Sequence, residues 1–198
     1  MKKMTIAALM PVLLITTFSG HAAPAKVTVD GGKINFEGSV VAAPCAVDNT
    51  TDGQTVRLGQ VPVSRLAAKG NTSSAVPFNV KLTGCDLSSI DPADGKKTVS
   101  YTSASIIFNG ATTGDDSTLA IQSASSGAGD TTTAAQNVGI QIYQNNKAVK
   151  VDGSTATAAQ KILGGNNEIP FSAAYVATAD GVVAGSANST VNFQVSYE

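Results

Sequence analysis

Residues able to do chemistry are few in this chain. It holds one histidine, His21, two cysteines, Cys45 and Cys85, and a few paired carboxylates such as Asp115-Asp116 and Asp91 with Asp94. A serine or cysteine nucleophile needs a base within hydrogen-bond reach, most often histidine. His21 falls in a segment read below as a cleaved leader, so no such pair is available. Paired carboxylates could serve glycoside hydrolysis, but these lie in Gly- and Ser-rich stretches that read as solvated loops. Their spacing also lacks the regular ligand pattern of a calcium loop, and Gly164-Gly165 lacks any phosphate-loop pattern. The expectation is a chain that is not an enzyme, with no metal and no cofactor.

The cysteines point elsewhere. Met1-Lys2-Lys3-Met4 is followed by an apolar run over residues 5–18 and then by Ser19-Gly20-His21-Ala22-Ala23, the layout of a secretory signal peptide with a small-residue cleavage site after Ala22 or Ala23. The run is shorter than the roughly 20 residues of a spanning helix and is interrupted by Pro11. Export to an oxidising compartment predicts that Cys45 and Cys85 pair. On a chain-entropy argument, closing a loop of about 40 residues is worth roughly 4 kcal/mol. Two thiols with no histidine beside them make a poor zinc site.

Removal of residues 1–23 leaves about 175 residues, the length of a single domain. It also takes Lys2 and Lys3, so 11 basic residues face 14 acids, with no basic run. That balance excludes nucleic acid as a partner. Charged residues are only 14% of the chain and hydrophobic ones 42%, in short alternating runs, enough for a core.

The elements that must carry any function read as strands. In Val76-Pro77-Phe78-Asn79-Val80-Lys81-Leu82 the even positions are apolar, with Pro77 marking an edge or bulge. Further strands are predicted over residues 55–58, 98–108, 119–123, 138–143 and 168–177, separated by Gly, Asn, Asp and Ser clusters. One weak helical turn is predicted over residues 63–68. Several short strands at this spacing argue for an all-β sandwich.

The two ends carry the most information. Residues 191–198 alternate without a fault, with Val191, Phe193, Val195 and Tyr197 facing one way. Residues 27–41 form a second strand-like run in which Gly32, Ile34, Phe36, Gly38 and Val40 share one parity. Val27 and Val29 lie on the other parity, and a bulge at Gly31-Gly32 is needed to bring them to the same face. Since Cys45 ties the chain to the body, the run before it either pairs within its own domain or projects as an arm.

These residues resemble a family. Gly31-Gly32-Lys33-Ile34-Asn35-Phe36-Glu37-Gly38-Ser39-Val40-Val41-Ala42-Ala43-Pro44-Cys45, Gln54-Thr55-Val56-Arg57-Leu58-Gly59, Val76 to Cys85, Asn137-Val138-Gly139-Ile140-Gln141-Ile142-Tyr143 and Glu168-Ile169-Pro170-Phe171 are similar, in order, to blocks of the type 1 fimbrial pilins of the chaperone-usher class. Gly185, fourteenth from the end, and the penultimate Tyr197 match their C-terminal signature. The resemblance implies an incomplete immunoglobulin-like sandwich that lacks its last strand and is completed by a donor strand from a neighbouring subunit. It implies residues 1–23 as signal peptide, 24–39 as the donor-strand extension and 40–198 as the pilin domain. Val29, Gly32, Ile34 and Phe36 would enter the neighbour's groove; Gly185, Val191, Phe193, Val195 and Tyr197 would form that groove's C-terminal strand and meet the chaperone. The implied partners are identical or related pilins in a homopolymer, a periplasmic fimbrial chaperone and an outer-membrane usher. The implied place is a fimbria on the bacterial surface.

Overall fold

A computed structural model describes residues 26, 28, 30–36, 38, 40–48, 53–90, 95–122 and 133–198. The chain divides between Ser39 and Val40 into two units. The second is all-β: no α-helix occurs among its described residues, and its one helical element is the 3-10 turn Val63–Leu66.

Among the described residues the strands are β1 (Ala46–Val47), β2 (Val76–Cys85), β3 (Ser88–Ile90), β4 (Lys97–Val99), β5 (Ser103–Gly110), β6 (Thr118–Ala120), β7 (Val138–Gln144), β8 (Lys147–Ala148), β9 (Gln160–Lys161), β10 (Gly165–Ala177) and β11 (Val191–Tyr197). They build a sheet in the order β1-β2-β10-β7-β6, with β8 paired to β7, a three-stranded sheet β11-β5-β9, and the hairpin β3-β4. The alternation in β2 is realised as read, with Val80 and Leu82 buried and Lys81 exposed. Pro77 lies on the stretch of β2 that pairs with β10 alone, where its missing N–H costs no ladder bond. Between β7 and β8 the turn is Asn145-Asn146, both at positive φ (51° and 61°), the backbone that a two-residue hairpin requires and asparagine tolerates.

The core joins the two larger sheets. Val80 and Leu82 of β2, Ile140 and Ile142 of β7 and Ile169 and Phe171 of β10 meet Ile106 and Phe108 of β5 in one buried cluster. The rings of Phe108 and Phe171 meet edge to face at 5.2 Å, and Phe78 stacks on Phe171 at 5.7 Å. Cys45 and Cys85 are bonded and belong to this cluster. A smaller cluster of Leu66, Val138 and Ala177 lies at the far end of β10.

Two expectations from the sequence are corrected. Residues 55–58 form no strand, although Val56 and Leu58 are half-buried: a strand needs a hydrogen-bonded neighbour, and this segment borders an open cleft. Residues 98–108 are not continuous, because the amides of Ser100 and Tyr101 both donate to the Leu87 carbonyl and turn the chain between β4 and β5. The described residues of 27–41 pair with no strand of their own chain among the described residues; Gly32 has φ 92° and its N–H donates to Asp30 Oδ1 at 3.1 Å, a local turn.

Candidate assembly groove

The last strand determines the site. β11 pairs with β5 alone, in the register Val191↔Gly110, Phe193↔Phe108, Val195↔Ile106 and Tyr197↔Ala104. Glu198 and Ser103 exchange both backbone hydrogen bonds at 3.0 Å. Because bonded and non-bonded pairs alternate in an antiparallel ladder, residues 192, 194 and 196 also bond β5. The N–H and C=O groups of Val191, Phe193, Val195 and Tyr197 therefore point to the other edge, where no strand lies among the described residues. Their side chains turn inward, so the same four residues present apolar surface and free backbone.

Beside that edge runs a cleft of about 1050 Å³. One wall is residues 187–193 with Val195; the facing wall is residues 53–59; the floor includes Phe78, Val80, Phe108, Leu119, Ile140, Ile142 and Tyr175. Phe108 thus serves both core and groove, its ring 6.4 Å from that of Phe193. Sequence reasoning missed the floor and the 53–59 wall as site residues. The alternation of β2 and β7 marked their apolar faces, but only the strand order shows which part of those faces lies uncovered.

Of the five C-terminal residues named from the sequence, Val191, Phe193 and Val195 line the cleft. Tyr197 ends the strand with its hydroxyl donating to the Cys45 carbonyl at 3.4 Å and its ring edge-on to Tyr101 at 6.1 Å; burial pushes its phenol up. Gly185 lies elsewhere, against residues 133–135: a Cβ there would meet the Ala135 nitrogen at 2.6 Å and the Thr133 carbonyl oxygen at 2.7 Å, so the chain crossing itself leaves room only for hydrogen. In the first unit Ile34 is 80% exposed and Phe36 90%, and Gly32 is exposed as well. Val29 is outside the described residues.

Of the carboxylates weighed for catalysis, the described pair, Asp115 and Asp116, is engaged in local contacts. Asp115 accepts from the Ser117 amide and the Thr118 hydroxyl, bonds that hold its carboxyl low, and Asp116 pairs with Lys150 at 2.9 Å. Asp91 and Asp94 are outside the described residues.

A sandwich with apolar side chains and unpaired backbone along one cleft suits the addition of a strand. Comparison with known proteins agrees. The Fimbrial protein family matches residues 34–198. The type-1 fimbrial protein A chain of Escherichia coli K12 is 36% identical over 99% of this chain and all of that protein. The type 1 fimbrial subunit of Salmonella typhimurium is 37% identical over 98% of this chain and 96% of that one. Among solved structures, the P pilus rod subunit PapA matches 79% of this chain with a TM-score of 0.60 at 22% identity, a likeness of fold. The chain belongs to the fimbrial protein family and is a non-enzymatic structural pilin of a surface fimbria.

Proposed function

We propose that this pilin polymerises by donor-strand exchange, residues 24–39 of one copy filling the cleft beside β11 of the next. The carrying observation is the coincidence of an unpaired edge at Val191, Phe193, Val195 and Tyr197 with an apolar cleft along it. Such an edge accepts an added strand. Ile34 and Phe36 are exposed apolar residues on one parity, and burying each contributes about 1.5–3 kcal/mol. The sandwich is then an immunoglobulin-like fold completed only by its neighbour, and the free subunit requires a periplasmic chaperone to cover the same edge until an outer-membrane usher hands it on. Residues 1–23 serve export and are removed.

One hydrogen bond supports an antiparallel direction of insertion. Tyr197 reaches Cys45, so β11 ends at the pole where residues 40–45 enter the body. A strand parallel to β11 would bring its own body to that pole, into collision with the acceptor's outgoing extension. An antiparallel strand brings the donor body to the opposite pole, where Val191 begins β11, and head-to-tail growth continues as an open filament.

Phe36→Asp tests this reading, with Asn35→Asp as its opposite-parity control. The expected result is at least a hundredfold fewer surface fibres for Phe36→Asp with the chaperone complex still formed, and less than a twofold change for Asn35→Asp. Equal effects of the two would overturn it.

A further inference from the structure

Strand β10 is 13 residues long and so spans about 40 Å, from Gly165, paired with Cys85, to Ala177 beside Leu66. Each of its ends carries an exposed apolar side chain on a tethered backbone. At the cysteine pole Leu163 is 64% exposed, yet its N–H donates to Asn167 Oδ1 at 2.8 Å and its carbonyl accepts from Asn167 Nδ2 at 2.7 Å. The same amide lies 3.4 Å from Cys85 Sγ, which ties this small loop to the disulfide. At the other pole Val183 is 49% exposed while its N–H and C=O both bond Gln136 at 3.1 Å. Val63 is exposed at the start of the 3-10 turn whose Leu66 is buried in the far cluster, against which Val182 also packs. A side chain held out on a fixed backbone loses little freedom on docking.

We propose that Leu163 of each subunit seats on the Val63 and Val183 surface of the subunit that accepts its extension, a second contact beside the inserted strand. This rests on the donor-strand reading, which brings these two poles together. Only residues 40–44 lie between Ser39 and Cys45, and five extended residues reach at most about 18 Å. So short a tether leaves the cysteine pole of the donor no place except against the acceptor's far pole, in a heterologous contact that repeats along the fibre.

The test uses two-subunit assemblies with a single strand-exchange joint, made from L163C/V183C chains and run on non-reducing gels after heating in detergent, which separates inserted strands but spares disulfides. The expected result is at least tenfold more covalent dimer than either single variant gives. No excess over the single variants, or a covalent product only in long fibres, would overturn the contact. Formation of the wild-type pair and its loss in F36D are read separately, so failure of the donor-strand reading is distinct. Should the cysteine chains fold poorly, L163D is expected to lower the temperature at which fibres separate into subunits, and V183K to restore it; an unchanged temperature in L163D would also overturn the proposal.

Discussion

The three-stranded sheet has two edges, and the chain treats them in opposite ways. Along β5, most of the backbone on the side away from β11 is covered: Ala104 pairs with Gln160, Gly110 donates to Val151, Phe108 accepts from Gly153, and Ile106 accepts from the Thr157 amide while donating to Thr157 Oγ1. Beyond the short β9 that cover is irregular chain, and a side chain secures it. Gln144, 4% exposed, donates to the Ala158 carbonyl at 3.0 Å and accepts from the Ala158 amide at 2.9 Å, standing in for a strand. Along β11, four residues are left with free groups over an apolar cleft. Residues 151–161 cover one edge of this sheet, and no described strand pairs with the other. Backbone satisfaction is nearly complete in folded proteins, which is why this open edge favours the strand-addition proposal.

The comparison can be broken from its closed side. Gln144→Ala removes both bonds to Ala158 and is expected to lower stability by about 1–2 kcal/mol, read by denaturant unfolding of the strand-complemented subunit, with faster amide exchange over residues 153–160. Thr157→Val, which takes only the bond from the Ile106 amide, is expected to cost about 1 kcal/mol at most. Neither should change fibre yield more than twofold, because neither touches β11. A large loss of fibres from Gln144→Ala would mean the two edges are not independent.

A smaller effect sharpens the contrast further. Asp86 follows Cys85 and anchors the β3-β4 hairpin: it accepts from the Ser88 hydroxyl, from Lys97 Nζ at 3.0 Å and from the Ser88 amide at 3.1 Å, and these bonds, that of the hydroxyl first, hold its carboxyl at about 2. A folded value below the ordinary 3.8 means that its contribution is complete above pH 3.8 and is lost as pH falls through about 2. The carboxylate is exposed to solvent, so the loss is local. Amide exchange in the hairpin should quicken below pH 3 while the β11 ladder keeps its protection, and Asp86→Asn should show the quicker hairpin exchange at neutral pH.

How much of this was legible in the sequence depends on whether the feature is a presence or an absence. Period-two alternation marks β2, β7, β10 and β11 because each buries one face. The same rule misread residues 55–58, where Val56 and Leu58 face the cleft without a strand to pair with. It also missed the hairpin at Asn145-Asn146, whose paired asparagines were a readable turn signal. Gly185 could be singled out by its distance from the C-terminus, but its reason, the crossing of residues 133–135, is a long-range contact that no local pattern carries. The open edge of β11 is the extreme case. Its residues look like those of any core strand, and what distinguishes them is the missing neighbour.

Hydrogen exchange on intact shed fibres, read amide by amide along β11, bears most directly on that missing neighbour. With a donor strand in place, the amides of Phe193 and Val195, which face away from β5, should be protected to the same degree as those of Gln194 and Ser196, which bond it. An alternating pattern in the fibre, with Phe193 and Val195 exchanging fast between slow neighbours, would contradict the account.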